Sequence, residues 1–138
     1  MAARFPYLPA TAAAGESFLM PLLPVRLRFG KGEFVQVQGL VDSGATVNVL
    51  PYRLGIQLGA IWESQKTSVT LTGNLATQEA RAVLLEAEVG EFPAVRLAFA
   101  WTRLETVPLL LGQVNFFQEF DVCFHRRRLQ IELAPAGK

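Results

Sequence analysis

Apolar and polar residues alternate with period two over most of the chain, the signature of half-buried β-strands. Val25, Leu27 and Phe29 alternate with Arg26 and Arg28. Gly30-Lys31-Gly32 marks a turn, and Phe34, Val35 and Val37 then alternate with Gln36 and Gln38, which predicts a hairpin. Val47, Val49 and Leu50 form another short strand, stopped by Pro51. Tyr52 to Ala60 is ambiguous and admits a helical turn that Gly55 and Gly59 weaken. Lys66 to Thr72 reads as a strand and Gly73-Asn74 as a turn. Leu75 to Val89 reads as a long strand, although its Ala and Glu content also suits a helix. Gly90 breaks it, and Val95, Leu97 and Phe99 alternate again. Val107 to Gly112 is a continuous apolar run, as expected of a strand buried on both faces. Asn115 to Glu119 fits one helical turn. Two last strands, around Phe120, Val122, Phe124 and around Leu129, Ile131, Leu133, join at Arg126-Arg127-Arg128. Many short strands with close turn signals predict an all-β barrel or sandwich.

Residues 1–24 lie outside this pattern. They are rich in Ala and Pro, and Pro6, Pro9, Pro21, Pro24 and Glu16 interrupt any apolar run, so they make a poor signal peptide. They read as a flexible N-terminal arm ahead of one domain over residues 25–138. The 138 residues suit a single domain, and the 51% apolar fraction gives it a core without disulfide or metal staples. A net charge of +1 supplies no field for steering nucleic acid. No stretch reaches the roughly 18 apolar residues of a membrane span. A single cysteine, Cys123, excludes an internal disulfide framework and fits a reducing compartment, hence a cytoplasmic location. Cys123 itself reads as a small buried hydrophobe.

The chain has two aspartates, Asp42 and Asp121. Asp121 alternates with Phe120 and Val122 and faces solvent on that pattern. Asp42 stands in Leu40-Val41-Asp42-Ser43-Gly44-Ala45-Thr46-Val47-Asn48-Val49-Leu50, a Ser-Gly turn between two apolar segments. Gly44 allows a tight turn, and Ser43 can hydrogen-bond a neighbouring group. On Asp-Ser-Gly alone an ordinary Asx-turn is the better account. His125, the only histidine, and Cys123 cannot make a zinc site or a nucleophile–histidine system within one chain. His125 with the three arginines after it reads as a solvated turn.

The longer run, apolar-apolar-Asp-Ser-Gly-Ala followed by an apolar strand, resembles the active-site signature of the retropepsin-like aspartic proteases. Leu110-Leu111-Gly112, followed by Asn115-Phe116-Phe117, resembles that family's apolar-apolar-Gly segment and the short helix after it. Thr70 to Thr77 lies where the family has its flap, a hairpin that closes over substrate. The resemblance covers about Val25 to Leu133. It implies a closed acid-protease barrel with one short C-terminal helix, working as a two-fold homodimer. It implies an aspartic endopeptidase acting on peptide or protein substrates, with water as nucleophile and no cofactor or metal. Asp42 would be the catalytic carboxylate, one half of a dyad that a second copy completes. Ser43, Gly44, Ala45 and Thr46 would form the supporting loop, with the Gly44 carbonyl offered to substrate. Leu40, Val49 and Leu110 would line side-chain pockets, where plain core serves equally well, and Gly73 and Asn74 would form the flap tip.

Two positions depart from the pattern. Retroviral members carry an Asp after the Ala and an Arg after the apolar-apolar-Gly segment, and these pair. Here they are Thr46 and Gln113, so a neutral hydrogen bond is expected in place of the ion pair. The rival expectation is a non-catalytic peptide-binding or dimerisation module on the same fold.

Overall fold

The computed structural model describes residues 1–137. Its centre is a closed barrel of six strands: β4 (Leu22–Arg28), β5 (Val35–Val41), β6 (Asn48–Leu50), β7 (Ala80–Val89), β8 (Val95–Thr102) and β9 (Leu110–Leu111). Around the barrel the order is β4-β5-β9-β6-β8-β7. The β5–β9 and β6–β8 pairs are parallel, and the remaining pairs are antiparallel. Helix α1 (Tyr52–Gln57) follows β6, and helix α2 (Phe116–Glu119) follows β9. The fold class is thus all-β with a closed barrel, as the resemblance implies, with α1 as a second short helix.

Period two explains the barrel. Leu23, Val25 and Leu27 of β4 turn inward and are buried, as are Val83, Leu85, Ala87 and Val89 of β7. Among the intervening outward positions, Arg26, Arg28, Glu86 and Glu88 carry charge, while Leu84 is an exposed apolar residue. Register places Arg26 opposite Glu88 and Arg28 opposite Glu86, and both pairs form ion pairs, the first at 2.7 Å. Exposed pairs of this kind add little stability, so the register rests on the buried face. Gly55 of α1 lies against the Trp101 indole, where a Cβ would come within 2.3 Å of the ring. That close approach lets Trp101 stack on Tyr52 and meet Trp62 edge-on.

The N-terminal residues differ from the expected flexible arm. Strand β1 (Ala3–Pro6) pairs with β11 (Gln130–Pro135), which also pairs with β10 (Phe120–His125). Strands β2 (Leu8–Thr11) and β3 (Ser17–Met20) form a separate hairpin. Prolines are tolerated here because these are edge strands, where a missing N–H breaks no ladder. Phe5 packs on the core and Tyr7 is buried, which supplies the apolar anchor that composition alone concealed.

Three further differences concern strand limits. Lys66 to Thr72 is not a strand, only a bridge from Ser68 to Arg81, closed by Val69 N–H on Ala80 O and Ala82 N–H on Thr67 O. The long strand starts at Ala80 rather than Leu75. The apolar run from Val107 contributes only Leu110–Leu111 as strand, with Pro108 exposed. Cys123 is exposed on β10 instead of buried, since it alternates outward with Val122. No helix among the described residues is long and apolar enough to cross a membrane.

The terminal sheet carries a pH-sensitive contact. Glu132 of β11 accepts hydrogen bonds from Arg4 of β1 at 3.1 Å and, when His125 Nε2 is protonated, from His125 of β10 at 3.2 Å. The His125 bond and then the Arg4 bond hold the Glu132 carboxyl below its ordinary value of 4.5, against partial desolvation. A depressed carboxylate contributes stability that is present above 4.5 and lost as pH falls through its folded value. The melting-temperature difference between wild type and Glu132→Gln should therefore shrink as pH is lowered from 6 to about 3. A difference that grows on acidification would contradict this.

Candidate active site

Strand pairing assembles the site. Parallel register sets Leu40 beside Leu110 and Val41 beside Leu111. The Asp42 N–H then donates to the Leu111 carbonyl at 3.0 Å. The turn after Asp42 closes by two local bonds. Gly44 N–H donates to Asp42 Oδ1 at 2.8 Å, and Ala45 N–H to the Asp42 carbonyl at 3.1 Å. The carboxylate has no other protein hydrogen bond among the described residues.

The segment after Leu111 grips the same turn from below. Gln113 N–H donates to Ala45 O at 2.9 Å, and Val114 N–H to Thr46 O at 3.0 Å. Gln113 Nε2 donates to Ser43 O at 2.7 Å. The expected side-chain bond between Thr46 and Gln113 is not formed. Gln113 reaches back to the backbone at Ser43, and Thr46 Oγ1 instead meets Thr72 Oγ1 at 3.3 Å. Uncharged partners have no long-range pull toward each other, so each takes the nearest group.

A pair of asparagines holds this layer to the barrel. Asn48 is fully buried. Its Oδ1 accepts from Gly112 N–H at 2.7 Å, and its Nδ2 donates to Ala98 O and to Asn115 Oδ1. Asn115 Oδ1 also accepts from Ala98 N–H, and its Nδ2 donates to Arg96 O. Sequence reasoning gave Asn48 no role and took Asn115 only as the start of the short helix. The usable signal was an amide inside the apolar run Val47-Asn48-Val49-Leu50, because a buried amide must find partners.

A cavity of about 410 Å³ opens over the turn. Asp42, Gly44, Ala45 and Thr46 form one wall, with Val49, Val107 and Leu110 beside them. Leu71 to Leu75 form the opposite wall, including Gly73 and Asn74. Asp42 is the only carboxylate in the lining. Of the residues expected to meet substrate, Gly44, Val49, Gly73, Asn74 and Leu110 line this one cavity. Leu40 does not. It stands two residues, about 6.6 Å, behind Asp42 along β5, half-buried in the pairing with Leu22 and Leu110. Ser43 is exposed and does not line the cavity. The flap position is also not a hairpin. Gly73–Leu75 form a single 3-10 turn, with Gly73 at a left-handed φ of 63°, since no strand pairs with this stretch. Asp121 is exposed on β10 and takes no part in the lining.

Comparison of whole folds shows which fold carries this turn and cavity. A retropepsin-like aspartic protease from Rickettsia conorii superposes with a TM-score of 0.61, over 96% of this chain and 91% of that one. The fold is that of the retropepsin-like aspartic proteases. Sequence identity to the Rickettsia protein is only 16%. The retroviral protease-like domain of Ddi1 from Leishmania major shares the fold at a TM-score of 0.55 and 14% identity, over 84% of this chain and 96% of that one. The EIAV protease, solved with the inhibitor HBY-793, matches at 0.53 and 15%, over 79% and 92%. No protein-family model matches the sequence, and no curated protein matches it. The geometry thus supports the fold that the Asp42 and Leu110-Leu111-Gly112 motifs suggested, at identities too low for whole-sequence comparison to find it.

Proposed function

We propose that this chain is an aspartic endopeptidase of the retropepsin type, active as a homodimer. The observation that carries the reading is the position of Asp42. It is the sole carboxylate on the cavity wall, in a turn locked by Leu111, Ala45 and Gln113. One carboxylate is half of the required chemistry. Two carboxylates about 3 Å apart share a proton, so that one acts as base and the other as acid. The base takes a proton from water as it attacks the peptide carbonyl, and the acid protonates the developing oxyanion. Asp42 of a second copy, related by a two-fold axis through the dyad, supplies the missing partner. Gly44 and the Leu71–Leu75 wall would flank an extended peptide, and Val49, Val107 and Leu110 favour apolar side chains beside the cut bond. Water is the nucleophile and no cofactor is required. The lone cysteine suits a cytoplasmic setting.

The test is digestion of an unstructured peptide library from pH 3 to 8, read by mass spectrometry, with and without a statine-type inhibitor. Cleavage that the inhibitor blocks supports the reading. The 3-10 turn in place of a flap hairpin favours one alternative, a peptide-binding or dimerisation module without catalysis. Peptides bound but uncut at every pH would establish that alternative instead.

A further inference from the structure

The β2–β3 hairpin has no role in the site just described, yet it is rooted beside it. At one foot, Tyr7 N–H donates to Leu129 O at 2.8 Å. At the other, Pro21 O accepts from Val41 N–H at 3.0 Å, and Val41 is the residue before Asp42. Between the feet, Leu8 faces Met20, Pro9 faces Leu19, Ala10 faces Phe18 and Thr11 faces Ser17. The strands reach about 13 Å from the root before the Ala12–Glu16 turn. Strand β3 is exposed along Ser17 to Leu19. Phe18 and Leu19, adjacent and so pointing to opposite faces, are 44% and 45% exposed. Glu16 is the only charged residue in the whole hairpin. An isolated two-stranded hairpin is marginal in water, and one this apolar calls for a surface to lie on.

A dimer that brings two Asp42 turns together also brings the two hairpin roots to the two-fold axis, one residue from each turn. The turns themselves offer little contact area. Ser43, Gly44, Ala45 and Thr46 have short side chains, and Thr46 and Gln113 make no ion pair. A stable dimer buries on the order of 800 Å² per partner. Val114, 47% exposed and bonded through its N–H to Thr46 O, gives the turn layer an apolar side chain of its own.

We propose that the β2–β3 hairpin is a dimerisation arm that reaches across the axis and buries Phe18 and Leu19 on the second copy of this chain. The proposal rests on the reading of Asp42 as half of a two-chain dyad. It places the contact that sustains the dimer in a segment fastened to the strand that carries the catalytic residue. Assembly and completion of the site are thereby one event.

The test is sedimentation of the full chain and of the double variant Phe18→Ser, Leu19→Ser over a concentration series. Both side chains are exposed within the chain, so circular dichroism of the variant should match wild type. Its dimer dissociation constant should rise roughly thirtyfold or more. Peptidase activity should fall at low enzyme concentration and recover at high concentration. As a second measurement, a benzophenone photocrosslinker at Ala13 in the otherwise native chain should give a cross-linked dimer band. A variant that dimerises as tightly as wild type, or cross-links only within one chain, would overturn the arm while leaving the dyad intact. A wild-type chain that cleaves peptides as a monomer at every concentration would overturn both. Sedimentation of the wild type, but not the variant, with phosphatidylglycerol vesicles, at unchanged dimer strength, would assign the hairpin to a lipid surface and overturn the arm.

Discussion

Asp42→Asn should leave a folded chain that cleaves peptides at least about 10⁴-fold more slowly than wild type. The amide is nearly isosteric with the carboxylate, and its oxygen can still accept the Gly44 N–H that closes the turn at 2.8 Å. Asp42 is only half-buried, and its backbone bonds to Leu111 and Ala45 do not involve the side chain. The melting temperature should therefore stay close to that of wild type. What disappears is the capacity to take a proton from water, which an amide lacks. Two measurements separate the chemistry from the fold: turnover on a cleaved library peptide, and thermal melting of the same sample. Asp121→Asn serves as the control, because Asp121 is exposed on β10 and outside the cavity. It should retain turnover. Undiminished cleavage by Asp42→Asn would remove Asp42 from the mechanism and the endopeptidase reading with it.

The parts of this molecule that the sequence made legible are those in which one face of a strand is buried. Alternation at Val25, Leu27 and Phe29 places β4, and the apolar flanks of Asp42 place β5 and β6, because each pattern has one satisfactory inside. The pairing of the Asp42 turn with Leu110-Leu111-Gly112 was legible as a resemblance in order and spacing, and parallel register explains why that order matters. Other features depend on tertiary partners that no local pattern encodes. Asn48 and Asn115 are ordinary polar letters until Gly112, Ala98 and Arg96 converge on them. Residues 3–20 look like a loose arm because their prolines and alanines disfavour a central strand, whereas an edge strand tolerates both. Thr70 to Thr77 has turn chemistry without a partner strand, and the chain settles into a 3-10 turn whose Thr72 hydroxyl meets Thr46.

Gly112→Ala should be the most damaging single methyl in the layer that carries Asp42. A Cβ at Gly112 would lie 2.5 Å from the Val47 carbonyl oxygen and 2.7 Å from that of Ala45. Both contacts are with backbone, so no side chain can rotate away. The Ala45 oxygen is held by Gln113 N–H, and Gly112 is fixed by its own N–H on Asn48 Oδ1 and its carbonyl on Phe117 N–H. Relief requires the Asp42 turn and the β9 segment to separate. That breaks bonds on both sides of the turn and loosens the buried amide pair. Overpacking of this kind costs about 3 kcal/mol. For a chain of this size that corresponds to a fall in melting temperature of roughly 10 °C. Activity should fall further than stability, because a displacement of about 1 Å at a catalytic group costs on the order of a hundredfold. Gly137→Ala, where a Cβ meets nothing within 4 Å, is the matched control and should be silent. The comparison discriminates between two roles for the Leu-Leu-Gly segment. If Gly112 serves only as a flexible joint, alanine should be mild, near the cost of a restricted backbone. If it is the point where two loops touch through their backbones, the methyl group should disable the turn at temperatures where the barrel remains folded. Turnover measured well below the melting transition, beside the melt itself, separates the two.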